Sequence, residues 1–195
     1  ETPNAAIPHV GAMSEGLQSE GVIACAKHFP GHGDTATDSH LSLPTLGHSR
    51  ERLEGVEFAP FEAAIAGGVR SVMVAHLAVP ALSKPEDAAL PASLNPAIIT
   101  RILREKMNYQ GLIVTDALDM NAITNHYSSG EAAVLAINAG NDVVLLPENP
   151  IEAIDALARE AEENPAFTAL LRASSARTEA AKEWCRSFPP PEPIS

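Results

Sequence analysis

The stretch GLIVTDALDM at residues 111–120 contains four consecutive strand-favouring residues that end at Asp116. Three other short runs, at residues 22–26, 71–75 and 143–146, are also rich in β-branched residues. None of the four runs alternates with polar residues, and this pattern is typical of strands buried on both faces of a parallel sheet. The sequence therefore predicts four parallel strands.

Helical patterns lie between these runs. Asn95 and Pro96 predict a helix start, and a second helix is expected to end at Gly140. A third start is expected at Asn149, and a last helix over residues 166–185. Strands alternating with helices predict βαβ units and an α/β fold. Asp142, just before the last strand run, is assigned to its turn.

Composition excludes several classes of function. The 195 residues are 45% hydrophobic and carry a formal charge of -12, which disfavours nucleic acid and anionic membrane surfaces as partners. No apolar stretch reaches the ~18 residues of a membrane span. No leader pattern is visible, so a cytoplasmic location is predicted unless a leader precedes Glu1. Cys25 and Cys185 are too far apart to indicate a disulfide framework or a zinc cluster.

Polar residues gather where the strand runs end. Lys27 and His28 follow the first run, His76 follows the second, and Asp116 follows the third. The carboxyl ends of parallel strands open on one face, where α/β folds place their catalytic groups. We therefore expect these four side chains to meet in one active site.

The segment KHFPGHGDTATDSH, residues 27–40, is the densest in chemistry-bearing side chains. Imidazole and carboxylate groups could bind a metal, although the spacing matches no common metal motif. The other interpretation is acid/base chemistry. Residues two apart in an extended segment project to the same side, so Asp38 could hydrogen-bond the ring of His40 and fix its tautomer. His32 and Asp34 are expected to support the turn.

This segment resembles the signature of glycoside hydrolase family 3, in particular its bacterial β-N-acetylglucosaminidase branch. Residues 111–120 resemble the strand of the family that ends in the nucleophilic aspartate. Residues 72–76 and 139–147 resemble two further family strands, and the resemblance covers residues 16–186. It implies a TIM (β/α)8-barrel type of α/β fold.

The resemblance also implies a role for each residue. Asp116 would be the nucleophile, His40 the acid/base catalyst and Asp38 its partner. Lys27 and His28 would bind sugar hydroxyls. The implied enzyme is a retaining exo-β-N-acetylglucosaminidase acting on cell-wall or chitin fragments, with no metal or organic cofactor.

His76 is predicted to line the substrate pocket, with packing beneath it as the alternative. For Asp116, the alternative role is to act as the N-cap of the segment that follows. A histidine acid/base is neutral once it has given up its proton, so it would not repel phosphate. Phosphorolysis is therefore the alternative to hydrolysis.

Four strands make only part of an eight-stranded barrel, which typically takes about 250 residues. Residues 1–186 are predicted to form a barrel domain that lacks its first strands, and residues 187–195 a proline-rich tail. Open strand edges are normally covered. A partner chain or self-association could therefore complete the barrel, and a catalytically incomplete fragment is the alternative to an enzyme.

Overall fold

The computed structural model describes residues 3–33 and 43–189, without the Asn4 side chain. The strands are β1 Cys25–Phe29, β2 Ser71–Val74 and β3 Leu112–Thr115. The helices are α1 Pro3–Ser19, α2 Arg50–Arg52 with a π-helical extension Leu53–Glu57, α3 Ala59–Ala66, α4 Pro96–Ile98 with a π-helical extension Ile99–Lys106, α5 Asn121–Thr124, α6 Ser129–Ala139, α7 Pro150–Glu163 and α8 Pro165–Arg186. Short 3-10 turns cover Pro80–Leu82, Pro85–Asp87 and Ala92–Leu94.

The three strands form one parallel sheet in the order β1-β2-β3. Cys25, Ser71 and Leu112 lie opposite one another and set a common register at the start of the strands. Helices cross between consecutive strands, which confirms the α/β prediction. The carboxyl ends of all three strands consequently open on the same side of the sheet.

The prediction for the first strand was wrong by three residues. Strand β1 begins at Cys25 rather than Val22, so Lys27 and His28 lie within the strand and not after it. The alternating exposure of β1 explains the error, because one side of this strand faces solvent and carries polar residues. Its pairing with β2 also becomes irregular between Ala26 and Phe29.

The fourth predicted strand, at residues 143–146, forms only one bridge, between Val143 and Val114. The amide of Leu145 donates to the Thr115 hydroxyl at 3.0 Å instead of to a backbone carbonyl. Leu146 then adopts a φ of 45°. The Leu145 carbonyl accepts from the amide of Leu118, which lies beyond the end of β3, at 2.9 Å, so the pairing does not continue as a regular ladder.

Side-chain caps place the helix starts close to their predicted positions. The side chains of Asn95 and Asn149 cap α4 and α7 by accepting backbone N–H groups. Gly140 ends α6 with a φ of 109°, a left-handed conformation that glycine adopts without steric cost. Helix α8 exceeds its prediction by one residue at each end.

The main hydrophobic core lies between one face of the sheet and the helices that cover it. Val72 and Val74 of β2 and Ile113 of β3 point into this core and are fully buried. Phe29, at the end of β1, packs there against Phe58 with ring centroids 5.6 Å apart. No helix within the described part of the chain has the length and apolar content of a membrane span.

Asp142 does not serve a turn, as the sequence suggested, but links three elements from a buried position. Its Oδ1 accepts from Arg177 of α8 at 2.7 Å, and its Oδ2 accepts from Arg104 in the π-helical extension of α4. The amide of Ile113 in β3 donates to the same Oδ2 at 2.9 Å. The Asp142 side chain is 0% exposed, so its negative charge is stabilised by these partners and not by water.

We predict that Asp142→Ala strongly destabilises the fold, because it leaves the Arg104 charge buried without its carboxylate. The expected loss is about 3–5 kcal/mol in the free energy of unfolding, measured by urea denaturation. Glu179→Ala is the control, since Glu179 pairs with Lys182 while both side chains are more than half exposed. An Asp142→Ala midpoint equal to that of the control would contradict the prediction.

Candidate active site

Asp116 lies immediately after β3, at the open end of the sheet. Its amide donates to the carbonyl of Val74 in β2 at 2.9 Å, so the backbone is held to the neighbouring strand. Its Oδ1 accepts from the amide of Ala117 at 3.0 Å. The side chain is 15% exposed, and the carboxylate is therefore largely enclosed but still reachable from solvent.

His28 of β1 lies beside Asp116. Its Nε2 lies 3.8 Å from Asp116 Oδ2, and its side chain is 31% exposed. His28 is in β1 and Asp116 follows β3, and the parallel register places both residues at the carboxyl end of the sheet. Lys27, the preceding residue in β1, is exposed.

Burial and three neighbouring groups, Asp116, Lys27 and His32, set the pKa of His28. Partial burial lowers its pKa, and the positive charge of Lys27 lowers it further. The Asp116 carboxylate raises the pKa of His28, but this effect is smaller than the effect of burial. At neutral pH the ring is therefore neutral, with one N–H donor and one bare nitrogen. Such a ring can both donate to and accept from a sugar hydroxyl.

His76 follows β2 and is fully buried beneath the open end of the sheet. Its Nδ1 lies 2.7 Å from the Ser93 hydroxyl, and its Nε2 lies 2.9 Å from the Ala117 carbonyl oxygen. Burial lowers the pKa of His76. Because both ring nitrogens have protein partners, the geometry favours packing beneath the pocket over direct contact with sugar.

A tight turn follows β1 and leads towards the predicted acid/base segment. The peptide bonds Lys27–His28 and Phe29–Pro30 are cis. The amide of Gly31 donates to the His28 carbonyl at 2.9 Å, and Gly31 has a φ of 134°. The His32 ring packs edge-on against the His28 ring, with centroids 5.9 Å apart. The predicted role of His32 in supporting the turn stays a prediction.

Asp38 and His40 lie outside the described residues, so their predicted roles stay predictions. The same holds for Asp34. Among residues 3–33 and 43–189, no group of three or more His, Cys, Asp or Glu side chains is arranged to hold a metal ion.

Glu57 is a neighbour of this turn that the sequence reasoning missed. Its Cβ would lie 2.7 Å from a Cβ placed on Gly31. Its Oε1 is 3.5 Å from Arg52, and its Oε2 is buried with no hydrogen-bond partner in the described part of the chain. Glu57 shares a groove of about 570 Å³ with Lys27, His28 and apolar residues of α1. No local sequence signal links Glu57 to the turn, because it lies 26 positions after Gly31.

Comparisons with known proteins agree on one family. The family model described as "Glycosyl hydrolase family 3 N terminal domain" matches residues 1–179. A curated relative, β-hexosaminidase A of Pseudoalteromonas piscicida, is 38% identical over 144 residues, which are 70% of this chain and 24% of the relative. The chain thus spans about a quarter of that relative's length.

Solved structures give the same result. A family 3 β-N-acetylglucosaminidase from Paenibacillus matches with a TM-score of 0.88 and 42% identity, over 95% of this chain and 35% of that one. A β-glucoside phosphorylase matches with a TM-score of 0.87 and 28% identity, over 96% of this chain and 35% of that one. The structural similarity confirms the predicted fold class, a partial barrel of the TIM type.

We predict that Gly31→Ala destabilises the turn, because a Cβ there meets Glu57 and the φ of 134° disfavours any side chain. The expected cost is about 1–3 kcal/mol in the free energy of unfolding, measured by urea denaturation. Gly33→Ala is the matched control, since a Cβ at Gly33 has no neighbour within 4 Å. Equal unfolding midpoints for the two variants would show that the close approach to Glu57 is absent.

We predict opposite changes in the His28 pKa when its two charged neighbours are neutralised. Asp116→Asn should lower this pKa further, because it removes the carboxylate that stabilises the imidazolium. Lys27→Gln should raise it, because it removes a like charge. Both shifts are measured by NMR titration, with the His28 signal assigned from its loss in His28→Gln. Shifts of the same sign would contradict this electrostatic description.

Proposed function

The chain belongs to glycosyl hydrolase family 3, and on this basis we propose that it acts as a retaining exo-β-N-acetylglucosaminidase. The proposed reaction releases terminal N-acetylglucosamine from cell-wall or chitin-derived oligosaccharides. The β-hexosaminidase and β-N-acetylglucosaminidase names of its relatives support this substrate class. The cytoplasmic location expected from the sequence stays a prediction.

The observation that carries the proposal is the placement of the Asp116 carboxylate. Its Oδ1 is held by the Ala117 amide, while its Oδ2 faces His28 at the open ends of the strands. We assign Oδ2 as the oxygen that attacks the anomeric carbon and forms the glycosyl-enzyme bond as the bond to the leaving group breaks. Water then displaces Asp116 from the opposite face, and the two inversions retain the configuration.

His40 is proposed to protonate the leaving oxygen and then to deprotonate the attacking water, with Asp38 fixing its tautomer. Lys27 and His28 are proposed to bind hydroxyls of the sugar that is transferred. This role for His28 is supported by its lowered pKa, because a neutral ring both donates and accepts hydrogen bonds. Lys27 supplies charged donors beside it in β1.

Phosphorolysis is the second candidate. Its support is the similarity to a β-glucoside phosphorylase, together with the chemistry of a histidine acid/base. After His40 has given its proton to the leaving group it is neutral, so a phosphate dianion would meet no added negative charge there. Phosphate would then take the place of water and give a sugar 1-phosphate.

The test is release of 4-nitrophenol from 4-nitrophenyl N-acetyl-β-D-glucosaminide by the purified chain. We expect Asp116→Asn to lower kcat by about three orders of magnitude or more, because it removes the nucleophile. Asp119→Asn is the matched control, since Asp119 is an exposed carboxylate three residues further on. A second set of reactions with inorganic phosphate is analysed for N-acetylglucosamine 1-phosphate, which separates phosphorolysis from hydrolysis.

Two outcomes would contradict the proposal. Full activity of Asp116→Asn would remove Asp116 from the chemistry. A folded wild-type chain without any turnover would favour the alternative of a half barrel that is catalytically incomplete and needs a partner chain or self-association.

A further inference from the structure

His76 is the centre of a buried hydrogen-bonded series that leads to the proposed nucleophile. The ring lies between the Ser93 hydroxyl and the Ala117 carbonyl, at 2.7 and 2.9 Å. His76 and Ser93 are both fully buried, so water does not compete for these bonds. The next bond in the series joins the Ala117 amide to Asp116 Oδ1 at 3.0 Å.

The partners of His76 fix its tautomer. A carbonyl oxygen can only accept, so the hydrogen-bonded Nε2 must carry the ring proton. The ring is neutral because burial lowers its pKa. Nδ1 is consequently bare and accepts from the Ser93 hydroxyl, which has a hydrogen to donate. The direction of donation thus runs from Ser93 to His76 and from His76 to Ala117.

Ser93 is itself held by the surrounding backbone. Its amide donates to the Ala75 carbonyl at 3.2 Å, and its carbonyl accepts from the Asn141 side chain at 2.8 Å. The Asn141 side chain also donates to the carbonyl of Ala136 in α6 at 2.7 Å. Ser93, the member of the hydrogen-bonded series farthest from Asp116, is therefore anchored both to the end of β2 and, through Asn141, to α6.

We propose that His76 is a positioning residue that holds Ala117, and through it the carboxylate of Asp116, in the orientation required for attack. Ala117 is fixed on both sides, since its carbonyl accepts from His76 while its amide donates to Asp116 Oδ1. This leaves Oδ2 directed towards the open site. The inference rests on the proposed role of Asp116, and it replaces the predicted contact of His76 with substrate.

The first test compares kcat and KM for His76→Leu, His76→Gln and Ser93→Ala. His76→Leu should lower kcat by about 100-fold with little change in KM, because misplacing a reacting group by about 1 Å has an effect of that size. His76→Gln should recover most of this loss, since a glutamine amide can still donate to the Ala117 carbonyl. Ser93→Ala should have an intermediate effect. His126→Leu, at an exposed histidine, is the matched control.

The second test does not depend on activity. Two-bond proton–nitrogen NMR spectra of the wild-type chain should show His76 with a protonated Nε2 and a bare Nδ1. The tautomer stays measurable if the wild-type chain is inactive, so failure of the proposed function is distinguishable from failure of this inference.

Four results would overturn the inference. One is the opposite tautomer of His76. Another is a folded His76→Leu variant with the kcat of the control, and a third is a loss confined to KM. If His76→Leu does not fold, the Ser93→Ala variant tests the inference instead. A wild-type kcat in Ser93→Ala would show that the hydrogen-bonded series does not position Asp116.

Discussion

The parallel register of the three strands is the constraint on which the site depends. Residues Ser71 to Val74 pair one to one with Leu112 to Thr115, and this pairing places the end of β3 beside the end of β2. The amide of Asp116 continues the ladder by donating to Val74. A register shift of one residue would turn the side chains of β3 to the other face. His28 and Asp116 would then no longer meet.

Buried polar groups stabilise this arrangement at both ends of β3. Asp142 links the start of the strand to the π-helical extension of α4 and to α8 through two arginines, while His76 supports the segment just after the end of the strand. Both groups are enclosed, so each depends on a complete set of partners. The groups that a ligand can reach are Lys27, the outer part of His28 and the partly exposed carboxylate of Asp116. The residues that hold the strands in place are therefore different from those that can contact a ligand.

The sequence predicted the features that depend on local pattern. Strand β3 and the helix starts after Asn95 and Asn149 follow from apolar runs and caps, and the structure confirms them. The end of β1 was missed because its solvent-facing side is polar, and the role of Asp142 was missed because its arginine partners lie 38 and 35 positions away. The burial of His76 depends likewise on a contact with Ser93 that no local spacing reveals.

In the proposed mechanism, Asp116 Oδ2 forms the bond to the sugar. The most direct test of this step is peptide mass spectrometry after reaction with a fluorinated N-acetylglucosaminyl fluoride, which slows hydrolysis of a covalent intermediate. We expect one added glycosyl group on the peptide that contains Asp116, and no such group in Asp116→Asn. A chain that releases fluoride with the label on another carboxylate, or with no label at all, would contradict the proposed mechanism.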